Sequence, residues 1–245
     1  MERIIRISQN ILEMSMEVAG EFSRLINNSG PNKVHFTAAL SGGNTPKQFF
    51  SVLGNHFINN TRWDIVDFFW SDERCVPPDN SESNYKMAKE LFLDKIKLSS
   101  EKIHRIKGEN IPEKEAERYA RVIKSTLTSR LGFPVFDVIF LGLGEDGHIA
   151  SIFPGDEKVI NSEKICEVTL HPVSGQKRIT LTLPVINNAQ KVIFMVSGAG
   201  KAKIVAEILN NQGSRNYPAG MVHPYSGKLY WFLDLESSSL LSQLA

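Results

Sequence analysis

Four runs rich in Val, Ile and Phe punctuate the chain: KVHFTAAL at 33–40, DIVDFFW at 64–70, VFDVIFLGL at 135–143 and KVIFMVSG at 191–198. Each is too uniformly apolar for a strand with one wet face, so each predicts a strand buried on both sides. Between them, apolar residues recur at helical spacing over 46–54, 84–97, 112–131 and 201–211. This alternation predicts an α/β fold with a mostly parallel, helix-covered sheet. RITLTL at 178–183 and KLYWFLD at 228–234 alternate more strictly, which predicts edge or antiparallel strands. No internal repeat or low-complexity linker interrupts the pattern, and the Ser/Asn-rich stretches near 80 and 210 are short enough to be loops. One domain over residues 1–245 is the expectation.

Charge narrows the choice of partner. With 28 Lys+Arg against 27 Asp+Glu the net charge is +1, so no broad field favours nucleic acid or a membrane surface, and any basic site must be local. Cys75 and Cys166 lie far apart and outside any C-x-x-C pair, which argues against a disulfide framework and against a cysteine zinc site. The first twenty residues carry acids and no long apolar run, and no stretch approaches a membrane span. A cytoplasmic location is the expectation.

In open α/β sheets, ligands collect beyond the carboxyl ends of the strands, and three loops there are chemically unusual. SGGNTPKQFF follows the first run. Gly42 and Gly43 permit close backbone approach, while Ser41, Asn44 and Thr45 offer side-chain donors. The loop reads either as a phosphate cradle at a helix N-terminus or as a Gly-rich turn with Thr45 as N-cap and Pro46 at the first helical position. It lacks the G-K-[ST] ending of a nucleotide P-loop. SDERCVPPDNSESNY follows the second run and groups Asp72, Glu73 and Arg74. Arg74 suits forked recognition of an anion, or else a structural Asp–Arg pair.

GLGEDGHIASIFPG, residues 142–155, follows the third. Gly142, Gly144 and Gly147 fit G-x-G-x-x-G, but Pro154-Gly155 arrives where a dinucleotide loop would open its long helix. The turn instead presents Glu145, Asp146 and His148, and imidazole is the side chain best suited to move protons near neutral pH. A structural histidine is the alternative. G-x-S-x-G and H-E-x-x-H are both absent from the sequence, and the other five histidines are scattered. A metal-free, cofactor-free site is expected.

SGGNTP, SDERCVP with its downstream NY, GLGEDGHIASIFPG, KRITLTLPVINNA and GAGKA, in that order, together resemble the 6-phosphogluconolactonase family over nearly the whole chain. The resemblance implies a single three-layer α/β/α domain with a Rossmann-like sheet, similar to glucosamine-6-phosphate deaminases. It implies metal-free hydrolysis of 6-phospho-D-glucono-1,5-lactone in the oxidative pentose phosphate pathway. It assigns the general base to His148, and Asp146, two residues before it, is a candidate to orient the ring as third members of catalytic triads do. The substrate and its phosphate fall to Gly42, Gly43, Asn44, Thr45, Asp72, Arg74, Arg178 and Lys201. Without the resemblance, Arg178 reads as a solvated strand end and Lys201 as an exposed first-turn lysine. Backbone N–H groups near Gly43 or Gly144 are candidate oxyanion donors.

The deaminases are the rival, with a similar Gly-Thr loop and DGHIA turn. They read D-E-Y where this chain has Asp72-Glu73-Arg74, and their histidine-supporting glutamate falls on Phe153. A non-catalytic sugar-phosphate sensor is a further alternative, although such chains often carry a DNA-binding module and none is visible here.

Overall fold

Strands buried along their whole length need cover on both faces, and the architecture supplies it. The computed structural model describes residues 3–210 and 216–241. Its main sheet contains β1 (Arg3–Ser8), β2 (Phe36–Leu40), β3 (Val66–Trp70), β7 (Val138–Leu141), β10 (Lys191–Val196) and β11 (Lys228–Asp234). The spatial order is β1-β11-β10-β7-β2-β3, every pairing parallel. Every residue of β2, β3 and β7 is buried.

The helices dock through aromatic contacts. Phe140 on β7 meets Phe22 of α1 (Ile11–Asn27) at 4.9 Å and Phe49 of α2 (Asn44–His56) at 5.0 Å, so both helices lie against the same strand. Such pairs contribute about 0.5–1.5 kcal/mol beyond the area they bury. On β10 and β11, Phe194 and Trp231 stack with centroids 4.0 Å apart.

The four apolar runs form β2, β3, β7 and β10 as expected. The two alternating runs divide. RITLTL belongs to β9 (Lys177–Leu181), which is antiparallel but central in a small sheet, between β4 (Asp72–Arg74) and β8 (Cys166–Leu170). KLYWFLD corrects the expectation of an edge or antiparallel strand: β11 is an interior parallel strand between β1 and β10, and all its residues but Lys228 are buried. Helix α3 (Asn84–Leu91) stops short of 97, because Phe92 leaves helical geometry at φ −140°. Helix α4 (Pro112–Thr126) stops short of 131, where β5 (Ser129–Arg130) and β6 (Phe133–Pro134) form a hairpin with Leu131 and Gly132 at positive φ. Helix α7 spans Ala202–Leu209, and position 211 of its expected range lies outside the described residues.

The two sheets join at Ser71. Its N–H donates to the Leu40 carbonyl at 2.7 Å, and its carbonyl accepts from the Leu181 N–H at 2.7 Å, so the chain passes from the main sheet into β4 within one residue. The Tyr119 hydroxyl of α4 donates to the Trp70 carbonyl and accepts from the Trp70 N–H, satisfying the end of β3 where no strand continues. From β2 the chain moves outward to β3, and from β7 it moves the other way through β10 to β11. The carboxyl ends of β2 and β7 therefore flank the point where strand order reverses, the place where open sheets present a crevice.

Candidate active site

At that crevice lies a cavity of about 400 Å³, and the loops after β2, β3, β7 and β10 all reach it. It gathers nine of the ten side chains or backbone positions singled out from sequence: Gly42, Gly43, Asn44, Thr45, Asp72, Arg74, His148, Arg178 and Lys201. Asp146, the tenth, sits behind His148.

The turn after β7 contains no helix. Gly147 N–H donates to the Gly144 carbonyl at 3.1 Å, and Gly144 N–H donates to the His148 carbonyl at 2.9 Å. The second bond spends the Gly144 N–H inside the turn, so among the backbone N–H groups near Gly144 that one is not free to serve as an oxyanion donor. Gly144 is needed for space: a Cβ there would lie 2.1 Å from His148 Nδ1 and 2.3 Å from Asp146 Oδ1. Those two atoms are 2.6 Å apart, and the same carboxylate oxygen accepts from the His148 N–H at 3.1 Å.

Burial pushes the Asp146 carboxyl upward, yet its bonds with His148 carry it below the usual carboxylate range. An ionised Asp146 can only accept, so the hydrogen between the two atoms belongs to His148 Nδ1. The ring also packs on Phe153, with centroids 5.0 Å apart, and Phe153 is 2% exposed. An apolar wall thus stands beside the imidazole.

The opposite wall is cationic. Arg74 and Arg178 are direct partners in the β4–β9 register. Like charges so placed repel unless an anion bridges them. The Nε atoms of both are buried without a hydrogen-bond partner. Among the described residues Arg74 makes no ion pair, so the Asp–Arg alternative fails; its side chain instead donates to the Glu82 carbonyl. Burial depresses the Arg178 guanidinium, with Asp72 opposing that shift and Arg74 adding to it. Neither arginine is a solvated strand end.

Asp72, 4% exposed, accepts from Ser151 Oγ at 2.6 Å and from Asn84 Nδ2 at 3.3 Å. Burial pushes the Glu73 carboxyl up, although it accepts the N–H groups of Arg74, Asn84 and Tyr85 and the Ser83 hydroxyl. These bonds fold the 75–83 segment back so that Asn84 reaches the glycine loop. Gly42 has no room for a Cβ, which would meet Asn84 Oδ1 at 1.7 Å.

The glycine loop opens α2 with Gly43 as its N-cap, at φ 109° and without a side-chain cap bond. Thr45 is thus not the cap, and Pro46 is the third helical residue rather than the first. Thr45 Oγ1 bonds instead to Ser197 Oγ at 2.8 Å, joining the loops after β2 and β10. Helix α2 aims its N-terminus at the cavity, a disposition that favours anions. Lys201 enters from a short 3-10 turn ahead of α7. Burial lowers its ammonium, Glu145 and Asp146 oppose that shift, and Glu145 lies 4.0 Å away. It is not an exposed first-turn lysine.

Ser151, Ser197 and Asn84 complete the setting without having been assigned roles from sequence, although all three lie in or beside the quoted motifs. Among the described residues no group of three or more His, Cys, Asp or Glu could hold a metal ion. Among the described residues no helix is long and apolar enough to cross a membrane.

The site is a crevice at the switch point of a parallel sheet, lined by Arg74, Arg178 and an imidazole paired with Asp146, in an α/β protein. The chain belongs to the family described as glucosamine-6-phosphate isomerases/6-phosphogluconolactonase, whose match runs over residues 10–231. A 6-phosphogluconolactonase of Treponema pallidum is 38% identical over 173 residues, 71% of this chain and 72% of that protein. The solved 6-phosphogluconolactonase of Trypanosoma brucei superposes with TM-score 0.89 at 30% identity, covering 98% of this chain and 99% of its own. A monomeric glucosamine-6-phosphate deaminase shares the fold at TM-score 0.80 and 22% identity, over 98% of this chain and all of its own.

Proposed function

We propose that residues 1–245 act as one catalytic domain that hydrolyses 6-phospho-D-glucono-1,5-lactone to 6-phospho-D-gluconate, a step of the oxidative pentose phosphate pathway. The observation that carries this reading is the pairing of an oriented imidazole with an unsatisfied arginine wall across one small cavity. The relatives named above support the choice of lactone.

In this mechanism the phosphate dianion bridges Arg74 and Arg178, with the Gly42–Thr45 loop and Lys201 completing its shell and Asp72 accepting from a sugar hydroxyl. Water attacks the lactone carbonyl carbon while His148 Nε2 takes its proton, and Asp146 stabilises the imidazolium that forms. The tetrahedral intermediate then collapses with cleavage of the bond from carbonyl carbon to ring oxygen, and His148 returns a proton to that oxygen. The new carboxylic acid ionises and releases a proton. The Gly43 N–H remains a candidate oxyanion donor. The cytoplasm suits an enzyme whose two cysteines are free thiols.

A sensor has no use for an oriented acid–base pair, and a deaminase would lack the acid that Phe153 replaces. The test is acid release from freshly generated 6-phosphogluconolactone, measured against spontaneous hydrolysis and with EDTA present. Enzymatic acceleration unaffected by the chelator is expected. A rate equal to the spontaneous one sinks the reading, as does substantial ammonia release from glucosamine 6-phosphate.

A further inference from the structure

The turn that carries His148 is held from outside the cavity. Gly147 has φ +82°, and a Cβ on it would lie 2.6 Å from Cδ1 and 2.8 Å from both Cβ and Cγ of Tyr217. The tyrosine side chain thus rests directly on the backbone of the residue between Asp146 and His148. Two residues on, the Ala219 N–H donates to the Gly147 carbonyl at 3.1 Å. The Tyr217 hydroxyl donates to Glu207 Oε2 at 2.5 Å, and Glu207 belongs to α7. None of these residues lines the cavity.

A turn with glycine at 144 and 147 has more backbone freedom than one built from residues that carry a Cβ. The peptide that presents His148 is held at its N–H by Asp146 and at its carbonyl by Ala219. Packing of the rigid Tyr217 ring on Gly147 adds a steric restraint to those two bonds, and the bond to Glu207 holds the ring in place. A proton-transfer group displaced by about 1 Å can lose about 10²-fold in rate, so this restraint bears on turnover.

We infer that Tyr217 is a positioning residue for the Asp146–His148 pair, a role that rests on the lactonase reading above. Neither Tyr217 nor Glu207 lines the cavity that would receive substrate. Loss of the ring therefore lowers kcat and leaves the phosphate end, and with it KM, nearly unchanged.

The test compares Tyr217→Ala and Tyr217→Phe with wild type in lactone hydrolysis, and records the ¹⁵N shifts of the His148 ring, assigned with His148→Gln. Tyr217→Ala is expected to lower kcat roughly tenfold or more with KM within about twofold. Tyr217→Phe, which keeps the ring on Gly147, should restore kcat to within about threefold. In wild type and Tyr217→Phe the ring should show the single tautomer protonated at Nδ1, and in Tyr217→Ala a mixture. Should Tyr217→Ala fail to fold, Tyr217→Leu is read the same way, since it fills volume without a ring. Wild-type kcat in the ring-less variant, or an unchanged ¹⁵N signature, overturns the inference. A wild-type protein inert toward the lactone sinks the lactonase reading instead, and the ring shifts still decide the brace.

Discussion

On one wall of the cavity, Asp146 and His148 meet at 2.6 Å, charge and proton already arranged; on the other, Arg74 and Arg178 face each other with both Nε atoms unpaired. On the proposed mechanism the first wall is in place before any ligand arrives, and the second waits for the phosphate. Chemistry would then be preorganised, while recognition is left to donors that the ligand satisfies. The catalytic wall should therefore respond to substitution through rate, and the cationic wall through specificity and through stabilisation by ligand.

The largest effect is expected at His148. Replacement by Gln should lower lactone hydrolysis by about 10²- to 10⁴-fold while 6-phosphogluconate still binds, as calorimetry would record. Near-wild-type turnover in a folded variant would erase the difference between the walls. Next comes Arg178→Ala, which removes a charge-assisted donor contributing about 1.5–3 kcal/mol, so kcat/KM for the phosphorylated lactone should drop roughly 10- to 100-fold. The same variant should act on unphosphorylated gluconolactone as wild type does. An equal loss on both lactones would place the phosphate elsewhere.

A smaller effect is thermal. Saturating 6-phosphogluconate at about 100 times its Kd should stabilise the protein by about 2.7 kcal/mol, or roughly 5–10 °C in Tm for a chain of this size. Arg178→Ala should abolish most of the shift and His148→Gln should keep it. The smallest concerns pH. Because Asp146 is held below its ordinary range in the fold, its contribution is present above the unfolded value of about 3.9 and vanishes as pH falls through the folded one. Asp146→Asn should thus lose at most about 1 kcal/mol at pH 7, solvent screening included, and progressively less at an acidic pH below the unfolded value. Denaturant titrations at the two pH values check the sign.

Much of this site was legible because its residues sit within a few positions of strand ends that the apolar runs mark. The histidine turn is complete within residues 144–148, and spacing alone brought Asp146 beside His148. The misreadings have physical causes. KLYWFLD alternates as a half-exposed strand would, yet Tyr230, Trp231 and Phe232 are all buried because β11 is an interior strand, flanked by β1 and β10, with α1 and the short helix Leu235–Ser238 packed against it. Thr45 has the chemistry of a helix cap, but Ser197, about 150 residues on, claims its hydroxyl. Tyr217 has no local signal at all, since its partner Gly147 is reached only through the fold.

By itself the sequence determined what depends on neighbours along the chain: the α/β alternation, the glycines that empty space around Gly42 and Gly144, the Asp146–His148 pair and the family motifs. Tertiary structure decided whatever needed two distant segments. It set Arg74 opposite Arg178 through the β4–β9 register and spent the Gly144 N–H inside its turn. It brought four loops to the ends of β2, β7, β10 and β3, and laid Tyr217 under the catalytic turn. The physical reason is range: backbone preference and hydrophobic period act over a few residues, whereas register, burial and pairing of charge are fixed only when strands far apart in sequence become neighbours.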